Sequence, residues 1–168
     1  MKITIRAAER GDLRAITDMV VKFREEHSRL IGGDKSVDRK EISEEVKAGL
    51  ENKGSGYFLA EIDGEVVGYR SWEYRDDFYF TKELFVEPDY RRKGVARELI
   101  GRMEEWLREQ GQEIGCISCV PGNIAMIELA RSEGYEILNQ IELRKDLTEE
   151  GPDPRGKREA LGYEWDVL

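Results

Sequence analysis

Apolar residues recur along this chain with two different periods, and the periods mark out its elements. Met1 to Arg6 alternates as a strand. Leu13, Ile16, Met19, Val20 and Phe23 share one face of a helix that Asp12 can cap. Leu30 to Val37, with Gly32 and Gly33, reads as a loop, and Ile42, Val46 and Leu50 line a second helix over Asp38 to Asn52. After the turn Gly54-Ser55-Gly56, Tyr57 to Ile62 and Val66 to Trp72 are strands joined at Asp63-Gly64, a pair that accepts the positive φ of a tight hairpin. Phe78 to Val86 is a strand. Val95 to Gln110 is a helix with Leu99, Met103, Trp106 and Leu107 as its buried stripe, stopped by Gly111. A strand over Gln112 to Val120, a turn at Pro121-Gly122-Asn123, a short helix over Ile124 to Ser132 closed by Gly134, and a last strand over Glu136 to Leu147 complete the pattern.

Length and charge narrow the field. The 168 residues suit one domain with a sizeable core, over residues 1–147, followed by a C-terminal extension over 148–168. That extension opens on Gly151-Pro152-Asp153-Pro154, which breaks any regular element, and closes on an apolar run from Leu161 to Leu168. The run is apolar enough to dock, either on its own domain or on the partner subunit of a homodimer. A net charge of -9 disfavours non-specific nucleic-acid binding and suits a cationic partner. No window has the length and apolarity of a membrane span, and the N-terminus reads as a strand instead of a signal peptide, so a cytoplasmic protein is expected.

Cys116 and Cys119 stand three apart in a β-like run, where they would point to opposite faces, so both read as core cysteines. A zinc site would need two further ligands, and His27 is the only histidine. No metal is expected. His27 itself, in Glu25-Glu26-His27-Ser28, reads as a solvated helix end.

The strongest chemical signal is the run from Glu83 to Arg97. An apolar strand enters a short basic turn, Arg91-Arg92-Lys93-Gly94, which opens directly into a helix. The first turn of a helix leaves backbone N–H groups without partners and carries the positive end of the helix dipole. Gly94 allows close backbone approach, and Arg91, Arg92, Lys93 and Arg97 add full charges. This is a trap for a phosphate or pyrophosphate. The spacing is neither that of a nucleoside-triphosphate loop nor that of a dinucleotide fingerprint.

The pattern Arg91-x-x-Gly94-x-Ala96, behind a strand ending Phe85-Val86-x-Pro88, resembles the acyl-CoA-binding motif of the GNAT N-acetyltransferase superfamily. The order of elements over residues 3–147 is similar to that family too. The resemblance implies an α/β fold with a mixed, mostly antiparallel sheet, whose apolar strands need helices on both faces. It implies acetyl-CoA as co-substrate. The backbone of Arg91, Arg92, Lys93, Gly94, Val95, Ala96 and Arg97 would hold the pyrophosphate, and the edges of Phe85 and Val86 would pair with the pantetheine arm. Asn123, ahead of a short helix and Gly134-Tyr135, matches the family's second signature and would help hold that arm, besides capping its helix. The segment from Lys82 to Leu147 also resembles aminoglycoside 6′-N-acetyltransferases.

Amide formation needs a neutral amine, and an alkylamine at neutral pH is mostly protonated, so a general base is required. Glu83, between Phe80, Leu84 and Phe85, is the candidate catalytic residue, its apolar neighbours suiting a carboxylate that takes up protons near neutral pH. An ion pair with Lys82 or Arg70 is the competing reading, and Glu73 is a weaker candidate base. Where the family commonly carries a tyrosine that protonates the leaving sulfur, this chain has Ala130; Tyr135, Tyr90, Ser118 or Cys119 would have to serve, or the thiolate leaves unaided. The expected activity is acetyl transfer to a primary amine, small-molecule acceptors being favoured over peptides. A protein N-terminal or lysine acetyltransferase and a catalytically weak acyl-CoA-binding domain are the alternatives.

Overall fold

A computed structural model of the chain describes residues 1–33, 36–145, 147 and 156–167. The expected turn over Gly151 to Pro154 lies outside the described residues. The chain divides into two compact units, Met1–Arg24 with Val37–Cys116, and Glu25–Ser36 with Ile117–Leu168.

The first unit holds a four-stranded sheet in sequence order, β1 (Ile3–Ala7), β2 (Ser55–Ile62), β3 (Glu65–Arg75) and β4 (Phe78–Val86), with every neighbouring pair antiparallel. Asp63-Gly64 turns β2 into β3 with φ of 53° and 83°, as its sequence requires. Asp76-Asp77 does the same between β3 and β4 at 53° and 62°, although neither residue is glycine. Helices cover both faces. In β2, Phe58 and Ala60 point to the side of α3 (Val95–Glu109), where Leu99, Met103 and Leu107 pack on them. Leu59, between them, points to the other side, against Ile16, Met19 and Val20 of α1 (Leu13–Leu30) and Ile42 and Val46 of α2 (Arg39–Glu51). The alternation of a strand thus divides one run of three apolar residues between two cores.

Asp38 caps α2 by accepting from the Lys40 and Glu41 backbone. Asp12 does not cap α1. It sits in a short 3₁₀ turn, Arg10–Asp12, where its carboxylate is gripped at 2.7 and 2.8 Å by the Arg6 guanidinium. Arg6 also reaches Glu61 at 2.8 Å, and the Asp12 carboxylate accepts the Glu9 N–H at 2.8 Å, so Asp12 stands at the third position of the 3₁₀ turn that precedes α1.

Ile124–Ser132 forms the expected short helix, α4, in the second unit. The strands expected over Gln112–Val120 and Glu136–Leu147 do not form among their described residues; both stretches lack regular structure. Gly115 interrupts the first and the polar pair Asn139-Gln140 the second, and both features weaken a strand. Ile137, 89% exposed, finds no core. In the extension, β5 (Gly156–Ala160) and β6 (Tyr163–Val167) make an antiparallel hairpin.

Candidate active site

A β-bulge in β4 organises the site. Arg70 of β3 opposes Leu84 and Trp72 opposes Thr81, so Lys82 and Glu83 together face the single residue Ser71. The Glu83 N–H donates to the Ser71 hydroxyl at 3.1 Å, and Ser71 is buried. Three residues before Ser71 on β3, Gly68 lets the strands close up, because a Cβ there would stand 2.8 Å from the Phe85 carbonyl oxygen.

The bulge delivers Glu83 to the α1–α2 face, where its side chain is only 16% exposed. Its Oε2 accepts from the hydroxyl of Tyr69, a fully buried residue, at 2.9 Å. Its Oε1 lies 3.5 Å from Nη2 of Arg24 on α1. That same Nη2 makes a shorter contact, 2.7 Å, to Glu45 on α2. The expected apolar niche is therefore absent: Glu83 lies between a phenol and a guanidinium. Its cationic partner is Arg24, and neither Lys82 nor Arg70. Lys82 instead pairs at 3.2 Å with Glu73, the weaker candidate base. The hydrogen bond to Glu45 raises the Arg24 value and holds the Glu45 carboxyl below the ordinary range. Burial, reinforced by the Glu83 charge, pushes the Tyr69 and Tyr57 phenols well above theirs, so both stay protonated.

The sequence reading missed Arg24, Glu45, Tyr57, Tyr69 and Ser71. For Arg24 a signal existed. It continues the stripe of Ile16 and Val20 by one more helical turn, which puts a charge on the buried face.

Beyond Val86, Pro88–Tyr90 form one 3₁₀ turn and the basic turn follows. Arg91 folds back, donating from Nε to the Val86 carbonyl at 2.8 Å with its guanidinium 5.4 Å from the Phe85 ring centre. Lys93 stands over the Tyr90 ring. Arg92 and Gly94 both take left-handed backbone, at φ of 61° and 88°. Gly94 is the N-cap of α3, no side chain caps that helix, and a Cβ at Gly94 would meet nothing within 4 Å. The turn thus presents helix N–H groups, exposed cations at Arg92 and Lys93, and open space, an arrangement that fits a pyrophosphate. Val95 is buried and anchors the helix, while Ala96 packs partly against that core. Arg97 is exposed. Phe85 and Val86 bury their side chains on opposite faces of the sheet, and β4 is one of its two edge strands, β1 being the other.

In the second unit Asn123 caps α4, its side chain accepting from the Met126 N–H at 3.2 Å. Ala130 is buried at 8% exposure and its methyl has no proton to donate. Among the alternatives for a proton donor, Tyr90 already donates to Glu65 at 2.9 Å. Both cysteines carry free thiols; Cys119 is exposed and Cys116 half-buried, so neither is the core residue expected. Among the described residues no helix is long and apolar enough to cross a membrane. No group of three or more His, Cys, Asp and Glu residues among them is arranged to hold a metal.

The acetyltransferase (GNAT) family model matches residues 18–135. The L-methionine sulfoximine/L-methionine sulfone acetyltransferase of Salmonella typhimurium is 29% identical over 83% of this chain and 83% of its own length. The L-amino acid N-acyltransferase MnaT of Escherichia coli is 28% identical over the same shares. Among solved structures, a possible acetyltransferase from Clostridium difficile 630 matches 88% of this chain and 99% of its own with a TM-score of 0.72 at 20% identity. Aminoglycoside N-acetyltransferase AAC(6′)-Iy in complex with CoA matches 88% of this chain and 96% of its own with a TM-score of 0.72 at 18% identity. The family match takes in the bulged strand, Glu83 and the whole basic turn, and on that ground this chain belongs to the GNAT acetyltransferase family and is an N-acetyltransferase.

Proposed function

We propose that this protein transfers the acetyl group of acetyl-CoA to the primary amine of a small molecule, with Glu83 as general base. The observation that carries the reading is the placement of Glu83. Three residues before Val86 and eight before the basic turn opens at Arg91, it is mostly buried yet not sealed, and its Oε2 is fixed by Tyr69. Three strand residues span about 10 Å, so one strand carries both the base and the lead into the anion turn. The relatives support a small acceptor, since their names specify methionine sulfoximine, methionine sulfone and L-amino acids.

Bound acetyl-CoA would supply an activated acetyl group. The backbone from Arg92 to Arg97 and the edge of β4 at Phe85 and Val86 are the residues suited to hold it. The chain's own contribution is the proton. An ammonium is drawn by the Glu83 and Glu45 carboxylates, and Glu83 takes a proton from it, leaving the nitrogen lone pair free to attack. The Tyr69 hydroxyl, kept protonated, steadies the carboxylate throughout.

Thiol release from acetyl-CoA, followed with a panel of small amines and amine-bearing peptides against pH, tests the reading. Glu83→Gln should abolish the acid limb of the kcat/KM profile and lower its plateau by about a hundredfold or more. An unchanged profile removes Glu83 from the mechanism, and faster turnover of peptides than of every small amine overturns the acceptor class.

A further inference from the structure

Arg24 is shared unequally. Its Nη2 sits 2.7 Å from Glu45 and 3.5 Å from Glu83, so the short hydrogen bond goes to Glu45 while the more buried Glu83 charge still acts on the guanidinium from a longer distance. Glu45 comes from α2, whereas Glu83 comes from β4, and only Glu83 faces the buried phenol of Tyr69. We propose that Glu45 is a positioning residue: by holding Arg24 it keeps the guanidinium at arm's length from Glu83 and leaves the site with a net negative charge for a cationic amine. The inference rests on the reading of Glu83 as base.

The electrostatics are local and can be followed group by group. Arg24 of α1, Glu45 of α2, the phenols of Tyr57 on β2 and Tyr69 on β3, and Glu83 of β4 face one another. Lys82 acts on Glu45 through space but spends its contact on Glu73. The phenols are neutral, and the pair Lys82–Glu73 cancels. Arg24, Glu45 and Glu83 then sum to one negative charge. Were Glu45 neutral, the sum would be zero, and Glu83 would have no competitor for the charge of Arg24. It would close on Glu83, because two opposite charges attract more strongly the nearer they stand and the less water lies between them. A carboxylate in full contact with a guanidinium gives up its charge reluctantly, and so accepts a proton from the acceptor less readily. Glu45 itself never needs to touch the substrate.

The test is the pH dependence of kcat/KM for acetyl-CoA-dependent thiol release, with the best-turned-over member of the amine panel as acceptor. Glu45→Gln should move the acid limb about half to one unit toward lower pH, lower kcat several-fold, and raise KM for the amine. Glu44→Gln, a neighbouring exposed position on the same helix, should leave the profile as it is. Made on an Arg24→Gln background, Glu45→Gln should lose more than half of its shift, because the effect passes through the guanidinium. An undiminished shift on that background overturns the proposal. A profile that Glu83→Gln flattens but Glu45→Gln leaves unmoved overturns the role of Glu45 alone. A profile that neither changes overturns both readings together.

Discussion

The Ser71 hydroxyl accepts the Glu83 backbone N–H at 3.1 Å, across a bulge where two residues of β4 face one of β3. A bulge leaves one backbone donor outside the ladder, and a buried donor without a partner costs about 1–3 kcal/mol. Ser71 therefore makes the bulge tenable, and the bulge in turn aims the Glu83 side chain toward Tyr69 and Arg24.

Ser71→Ala should destabilise the fold by about 1–2 kcal/mol in urea unfolding, since it removes an acceptor that no water reaches easily. It should also lower kcat, by about tenfold, while KM for acetyl-CoA stays within twofold, because the turn beyond Val86 is untouched. A stability loss without a change in kcat would mean that the bulge does not orient the base.

Tyr69 gives the fold an alkaline limit. Its phenol titrates in the folded state well above its ordinary value, chiefly through burial. A group whose folded value is raised contributes stability that is present below the unfolded value, about pH 10, and that fades as pH rises toward the folded one. Thermal midpoints measured between pH 8 and 12 should therefore fall above pH 10. Tyr69→Phe should flatten that fall, and Tyr57, raised in the same direction, should account for part of what remains.

The basic turn separates backbone strain from ligand binding. Gly94→Ala places a side chain at φ 88°, with no steric clash, and should cost about 1–2 kcal/mol of stability. Arg92 already bears that kind of strain at φ 61°. Arg92→Gly should therefore be neutral or stabilising by up to about 1 kcal/mol while raising KM for acetyl-CoA several-fold, through the lost charge. Equal KM values for the variant and the parent would remove Arg92 from anion binding.

Asp12 links the fold to acid. Its carboxyl is held below the ordinary range first by the Arg6 hydrogen bond, an effect that burial partly offsets. A depressed carboxylate contributes stability above its unfolded value, near pH 4, and loses it as pH falls through the folded one. Asp12→Asn should cost about 1 kcal/mol at pH 7, a modest figure because Arg6 is partly solvated. The cost should vanish in urea unfolding at the lowest pH at which the protein stays folded.

How much of this was legible beforehand depends on whether the information is local. β4 and α4 lie where their apolar periods and turn residues put them, at Phe78–Val86 and Ile124–Ser132. The positive φ of Gly64 and Gly94 was written in their residue type. The basic turn and its helix were readable for the same reason: every part of an anion trap lies within seven residues, Arg91 to Arg97. An extended run is different, because a strand exists only when another backbone completes its ladder. That is why Gln112–Val120 looked like a strand and is not one.

The partners of Glu83 could not be read at all. Arg24 lies 59 residues away, and its approach depends on how α1 crosses the sheet. Tyr69 meets Glu83 because β3 pairs Tyr69 with Phe85, two residues from Glu83 on the same face, and a one-residue slip of that register would turn every side chain to the other face. The sequence by itself determined the helices, the strands β1 to β4, the Asp63-Gly64 turn and the basic turn, since these follow from neighbouring residues and their backbone preferences. Only the tertiary structure decided that Glu83 stands between a buried phenol and a shared arginine, because which charges meet is set by packing and register.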